Sequence, residues 1–213
     1  MDFLTGALDL LVHLDKHLLV LTQDYGGWIY LLLFLIIFSE TGLVITPFLP
    51  GDSLLFVVGT LAGVGAMNAH LLVVLLSLAA VIGNSVNYAI GRWIGPRVFR
   101  AQDSWLFKKA YLERTHRYFE RFGGRTIIIT RFVPIVRTYA PFVAGIGAMN
   151  YPRFLLFNVI GAVLWVALIV YAGYLFGNVP FVNNNLTLVI FGIILLSMSP
   201  ALIELVRHKL KRS

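Results

Sequence analysis

The sequence predicts an all-α polytopic membrane protein: an inverted repeat, each unit a re-entrant hairpin followed by a transmembrane helix, with an N-terminal amphipathic helix in front. Three observations carry this. Of the 213 residues, 59% are hydrophobic and 13% charged, with a mean hydropathy of +0.84, a balance typical of polytopic membrane proteins rather than soluble domains. Apolar runs recur at 26–50, 53–67, 69–91, 126–149, 154–177 and 186–201, several of them long enough to cross a hydrocarbon core of about 30 Å. Finally, GVGAMN at 63–68 returns as GIGAMN at 145–150, and the pair Gly91 and Gly95 returns as Gly173 and Gly177. This internal repeat divides a single membrane domain, 1–213, into an interfacial helix (1–24), repeat 1 (40–95), a cytoplasmic amphipathic linker (96–125), repeat 2 (126–177) and a last span (186–206).

The first segment spaces Phe3, Leu4, Leu8, Leu11, Leu14, Leu18 and Leu21 at helical intervals, with Asp9, Asp15 and Lys16 elsewhere around the turn, the pattern of a helix lying in the membrane interface. It lacks the basic start and small-residue cleavage site of a signal peptide. Tyr25 to Trp28 marks an aromatic belt, and a hydrophobic helix starts near Trp28 and runs into Ser39 and Glu40. Repeat 1 then reads ETGLVITPFLPGDSLLF. Pro47, Pro50 and Gly51 forbid a continuous helix there, and Glu40 and Asp52 place two carboxylates in an apolar setting. Asp52 also suits a helix N-cap, whereas Glu40 reads either as a buried ion-pair partner or as part of a substrate or proton path. A long span follows and ends in Gly91 and Gly95, a G-x-x-x-G pair that permits close helix contact within one chain or between copies, so a homo-oligomer stays open.

Nine of the seventeen Lys and Arg residues fall between Arg92 and Arg125, and four more lie in the tail at Arg207, Lys209, Lys211 and Arg212. Both groups flank apolar runs, so the positive-inside rule places linker and C-terminus in the cytoplasm. The net charge of +7 is accounted for by that location, and no nucleic-acid partner is implied. Within the linker, Tyr111, Leu112, Thr115, Tyr118, Phe119 and Phe122 share one helical face and Arg114, Arg117 and Arg121 another, with Ser104 as a cap and Gly123–Gly124 as the stop. Counting spans from the linker also places the N-terminus in the cytoplasm, although Lys16 is its one basic residue.

Repeat 2 opens with TIIITRFVPIVRTYAPFVAGIG at 126–147. Each guanidinium at mid-depth costs at least roughly 2.5–3.5 kcal/mol on the insertion scale, so Arg131 and Arg137 must face protein or a water-filled cavity. Pro134 and Pro141 break the segment, and irregular backbone at this depth survives only when enclosed. An arginine fork matches phosphate oxygens. The segment therefore reads as the binding place of an anionic headgroup, with Glu40 and Asp52 as ion-pair partners and proton carriers. If each hairpin returns to its own side, one crossing separates the two repeats and they are inverted, an arrangement found in secondary transporters.

ETGLVITPFLPGDSLLF, the GNSVNYAIGRWIG stretch at 83–95, and RFVPIVRTYAPFVAG at 131–145 together resemble the DedA family of bacterial inner-membrane proteins, whose membrane domain is shared with eukaryotic lipid scramblases. The resemblance covers nearly the whole chain. It implies two re-entrant hairpins facing each other and movement of lipid between leaflets; several members are implicated in returning undecaprenyl phosphate to the cytoplasmic face at the expense of the proton-motive force. The acidic and basic residues the family relies on fall here on Glu40, Asp52, Arg131 and Arg137. Asn84 stands where relatives often have Asp. The expected activity is thus a proton-coupled flippase for an anionic lipid, undecaprenyl phosphate or a phospholipid. A non-selective phospholipid scramblase and a proton-coupled ion or drug antiporter are the alternatives. A lipid phosphatase is disfavoured, because His13, His17, His70, His116 and His208 lie at span ends or in polar segments, away from the arginines. There are no cysteines, no metal-ligand spacing, and no cofactor is expected.

Overall fold

The computed structural model describes residues 26–42, 51–94, 119–147 and 149–177, with 179 and 192. The expected interfacial helix, Pro47, Pro50, Gly95, the linker up to 118 and, Gly192 apart, the last span lie outside them. Among the described residues all regular structure is helical: α1 (Trp28–Gly42), α2 (Gly51–Gly63), α3 (Ala69–Ile94), α4 (Thr126–Thr130), α5 (Pro134–Ile146) and α6 (Tyr151–Phe176), with a 3-10 turn at Gly123–Arg125 before α4.

Two helices, α3 and α6, are long and apolar enough to cross a membrane. Each has 26 residues, or about 39 Å at 1.5 Å per residue. Their first residues, 69 and 151, and their last, 94 and 176, differ by the same 82 positions, which is the offset of the GVGAMN repeat. The short helices α2 and α5 keep nearly that offset and have 13 residues each. Duplication is thus legible in the backbone as well as in the motif.

Each short helix packs along the long helix of the other repeat. A Cβ added at Gly145 would strike the Tyr88 carbonyl and one at Gly91 the Phe142 carbonyl, so α5 lies in backbone contact with α3. In the same way Gly173 faces the Phe56 carbonyl and Gly177 the Thr60 side chain, holding α2 against α6. Gly91, Gly173 and Gly177 are therefore used within one chain, where removal of the side chain lets two helices approach closely. Around these contacts Leu55, Val57, Val58, Leu72, Leu76, Val166 and Val170 form the main core, to which α1 adds Ile29, Leu33 and Ile37. The outward faces of α3 and α6 expose Val74, Leu78, Leu156, Leu164 and Leu168, an apolar belt suited to lipid.

α1 runs parallel to α3. The Asn68 N–H donates to the Tyr30 hydroxyl at 3.0 Å near the start of both helices, and Gly42 meets Gly83 halfway along α3. Trp28 thus shares the end of the bundle where α3 begins, opposite the end where α3 leads into the basic linker. This corrects the count of crossings made from sequence. That count places the N-terminus on the linker's side, whereas α1, whose 15 residues cover about 22 Å, starts at the other end.

The prolines of repeat 2 also divide their work differently from expectation. Pro134 is the first residue of α5 and marks the break, with Val133 extended before it, as a residue preceding proline prefers. Pro141 lies inside α5, which continues through it to Ile146. Its missing N–H leaves the Arg137 carbonyl without its usual partner four residues on.

Candidate functional site

The end of α1, the start of α2, the α4–α5 junction and the middles of α3 and α6 converge on one buried cluster of charge. Glu40 comes from the last turn of α1 and is 2% exposed. Asp52 sits in the first turn of α2, where the positive end of the helix dipole favours a carboxylate. Gly51 beside it leaves the space that the Glu40 carboxyl group fills: a Cβ there would overlap that group.

Arg137, one turn into α5, lies between the two acids. Its Nη1 donates to Asp52 Oδ1 at 2.9 Å and its Nη2 to Glu40 Oε1. One guanidinium thus closes two carboxylates from the other repeat, each by a charge-assisted bond. Trp165 of α6 completes the arrangement. Its indole Nε1 donates to the same Asp52 Oδ1 at 3.0 Å, and its ring lies 5.1 Å from the Arg137 guanidinium carbon and 5.8 Å from that of Arg131, both within cation–π range.

Arg131, just after α4, is 5% exposed. Its Nη2 donates to Asn158 Oδ1 at 2.7 Å, and its Nε is buried without a hydrogen-bond partner. Among the described residues, the ion pairs in the cluster are the two made by Arg137. The two arginines are therefore inequivalent: one is saturated by carboxylates, the other is held by a neutral amide.

Behind them, α3 supplies two buried asparagines. Asn84 Nδ2 donates to Asn158 Oδ1 at 2.9 Å. Asn87 Nδ2 donates to the Thr138 carbonyl at 2.9 Å and the Thr41 carbonyl at 3.4 Å, so one amide ties the residue after Glu40 to the residue after Arg137. A cavity of about 10 Å³ remains, lined by Glu40, Thr41, Asn84, Arg131, Arg137, Thr138 and Trp165. That volume is about what one water molecule needs.

The structure thus brings together all four charged residues named from sequence, with Gly51 beside them, and Pro134 opens the helix that carries Arg137. Sequence reasoning passed over Trp165, Asn158 and Asn87. The two asparagines carry a usable signal, since an amide inside an apolar span needs a buried partner. Trp165 carries none, because a tryptophan in a membrane helix reads equally well as lipid-facing.

Comparison with known proteins bears on the same residues. The VTT domain matches residues 49–175, from just before Asp52 to the last turn of α6. Protein DedA of Escherichia coli strain K12 is 54% identical over 211 residues, covering 98% of this chain and 96% of that protein. An uncharacterized membrane protein of Mycobacterium leprae is 46% identical over 79% of this chain and 75% of its own length. Inner membrane protein YqjA of Escherichia coli is 38% identical over 84% of this chain and 81% of its own length. No solved structure matches. On a domain match over more than half its length and a relative alignable almost end to end, the chain is a membrane protein of the DedA family, the family that carries the VTT domain.

Proposed function

We infer that the protein moves an anionic lipid headgroup between leaflets of a bacterial inner membrane, with undecaprenyl phosphate as the favoured substrate and protons as the coupling ion. The observation that carries this reading is the inequality of the two buried arginines. Arg137 is closed by Glu40 and Asp52, while Arg131, which lines a cavity too small for a phosphate, keeps an unbonded Nε. Such a site is at rest when empty. A phosphate bound first at Arg131 would compete with the carboxylates for Arg137, and protonation of Glu40 or Asp52 would free its fork. Loss of those protons on the far side would close the pair again and expel the headgroup, with no chemical step at phosphorus and no enzyme activity.

The topology supports the same reading. α1 and α2 span about 22 and 20 Å, short of the about 30 Å hydrocarbon core, and α2 leads back to the end of the bundle where α1 began. We read them as a re-entrant hairpin. α4 and α5 form its inverted counterpart, entering from the end where α3 stops. The end of α1 and the start of α2 meet the α4–α5 junction at the charge cluster, an arrangement akin to that of transporters with discontinuous helices. With the basic linker and the tail in the cytoplasm, Trp28 is on the outer face.

The test is headgroup movement in proteoliposomes containing labelled undecaprenyl phosphate and a labelled phospholipid, with an imposed pH gradient and Arg137→Ala as control. Gradient-dependent movement of the polyprenyl phosphate that is absent in the variant is expected. Equal movement of both lipids without a gradient would replace this reading with a scramblase, and proton flux with movement of neither would replace it with an antiporter.

A further inference from the structure

Arg131 buries a cation against a neutral partner, and the surroundings show how that partner is kept in place. The Asn158 side chain is fully buried. Its Nδ2 donates to the Val81 carbonyl at 3.0 Å, a group that can only accept, so Oδ1 must be the end turned toward Arg131 and Asn84. Asn84 then donates its own Nδ2 to that oxygen. Oδ1 receives two donors, one of them a guanidinium, and carries no formal charge to set against it. On the other side of Arg131, Gly161 leaves no side chain between α6 and the guanidinium; an added Cβ would lie 3.3 Å from its Cδ and Nε.

We propose that Asn158 is the residue that makes this site selective for anions: it fixes the Arg131 guanidinium through Nη2 without neutralising it, leaving a cation with no carboxylate bonded to it as the first contact of a phosphate-bearing headgroup. The proposal rests on the reading of the cluster as an anion site and adds what sets its selectivity. The charged groups facing Arg131 are few. Glu40 on α1 and Asp52 on α2 are bonded to Arg137 of α5; α3 and α6 present Asn84, Asn158 and Trp165, none of them charged. A carboxylate at position 158 would give Arg131 a partner of its own, and all four original charges would then be satisfied without a ligand. Asn158 is a positioning residue in this scheme. It sets the charge that the headgroup meets.

Charge and shape give opposite orders, which makes the idea testable. Asn158→Asp keeps the shape and adds a charge, whereas Asn158→Ser keeps neutrality and loses the reach to Arg131. The experiment titrates full-length protein in phosphatidylcholine nanodiscs with dodecyl phosphate, and records the thermal unfolding of each variant alongside. The expected result is a loss of affinity of about tenfold or more for Asn158→Asp, with unfolding at or above the wild-type temperature, and a smaller loss for Asn158→Ser. The reverse order, or wild-type affinity in Asn158→Asp, would overturn the proposal. Should Asn158→Asp not fold, Asn158→Ser keeps the proposal testable, since it removes the bond that fixes Arg131, and unchanged affinity there would count equally against it. Dodecyl phosphate that inorganic phosphate does not displace supports a lipid headgroup as the ligand; displacement at comparable concentration would overturn the lipid source. Failure of the wild type to bind either probe would sink the anion-site reading itself, whereas binding that ignores position 158 sinks only this step.

Discussion

Replacing Glu40 by Gln separates binding from transport in this scheme and does so in an unexpected direction. The side chain keeps its size and one acceptor oxygen, so the crowded contact with Gly51 is retained while the charge is removed. Arg137 then has one carboxylate partner, Asp52 at 2.9 Å, and the cluster changes from two acids and two arginines to one acid and two arginines. A hydrogen bond to a charged group contributes about 1.5–3 kcal/mol. Losing the charged part of one such bond removes a competitor of that order from the path of an incoming phosphate. Because Gln still accepts one bond, the lower end applies, and about 1.4 kcal/mol is a tenfold change. Dodecyl phosphate is therefore expected to bind Glu40→Gln about tenfold more tightly than wild type in nanodisc titrations. Proteoliposome transport should fall, since the carboxylate that expels the headgroup is gone. Weaker binding together with lost transport would show that Glu40 holds the site open rather than closed, and the competition argument would be wrong.

Arg137→Lys keeps the charge but cannot reach Asp52 and Glu40 with two parallel donors; transport at least about tenfold slower is expected by the conversion of 1.4 kcal/mol per decade, and unchanged transport would exclude bidentate recognition. The chain has no cysteines, so single replacements report topology directly. Trp28 and Trp93 are 71% and 85% exposed; Trp28→Cys should react with an impermeant maleimide from the outer face and Trp93→Cys only from the cytoplasmic face, whereas labelling of both from one face would undo the re-entrant reading of α1. Gly173→Leu drives a side chain into the Phe56 carbonyl and should prevent assembly of α2 on α6, seen as loss of a monodisperse peak in detergent; a normal peak would mean that the close contact does not hold α2 in place.

Much of this site can be argued from sequence because the bilayer makes every buried charge conspicuous. Glu40, Asp52, Arg131 and Arg137 interrupt apolar runs, and the cost of leaving them unpaired forces them toward one another. The six-residue repeat and the glycine pairs give the duplication and its offset. What could not be read is the detail of who pairs with whom. Complementary charge allows either arginine to take either acid, and only the fold shows that Arg137 takes both while Arg131 falls to Asn158. Pro141 illustrates a second limit. Proline announces a missing N–H, but whether the helix breaks or runs on depends on packing: the neighbouring Phe142 and Val143 are buried against α3, and α5 continues. The direction of α1 was hidden for a related reason, since an apolar helix ending at a carboxylate looks the same whether it crosses or turns back.

The repeat copies the backbone and does not copy the charges. At an offset of 82, Asp52 corresponds to Pro134 and Arg137 to Leu55, so both acids come from the first hairpin region and both arginines from the second. A symmetric distribution would have set like charges against each other at the meeting point, or closed each hairpin on itself. The asymmetric one makes the contact between repeats an ion pair, and an ion pair is the kind of contact that a third charge can open. Only a ligand with a different affinity for the paired and unpaired states can shift that balance. A phosphate has it through the arginines and a proton through the acids. Each favours the unpaired state, and each therefore raises the affinity for the other. In the proposed scheme, coupling of headgroup to proton then follows from four side chains, without any communication over distance.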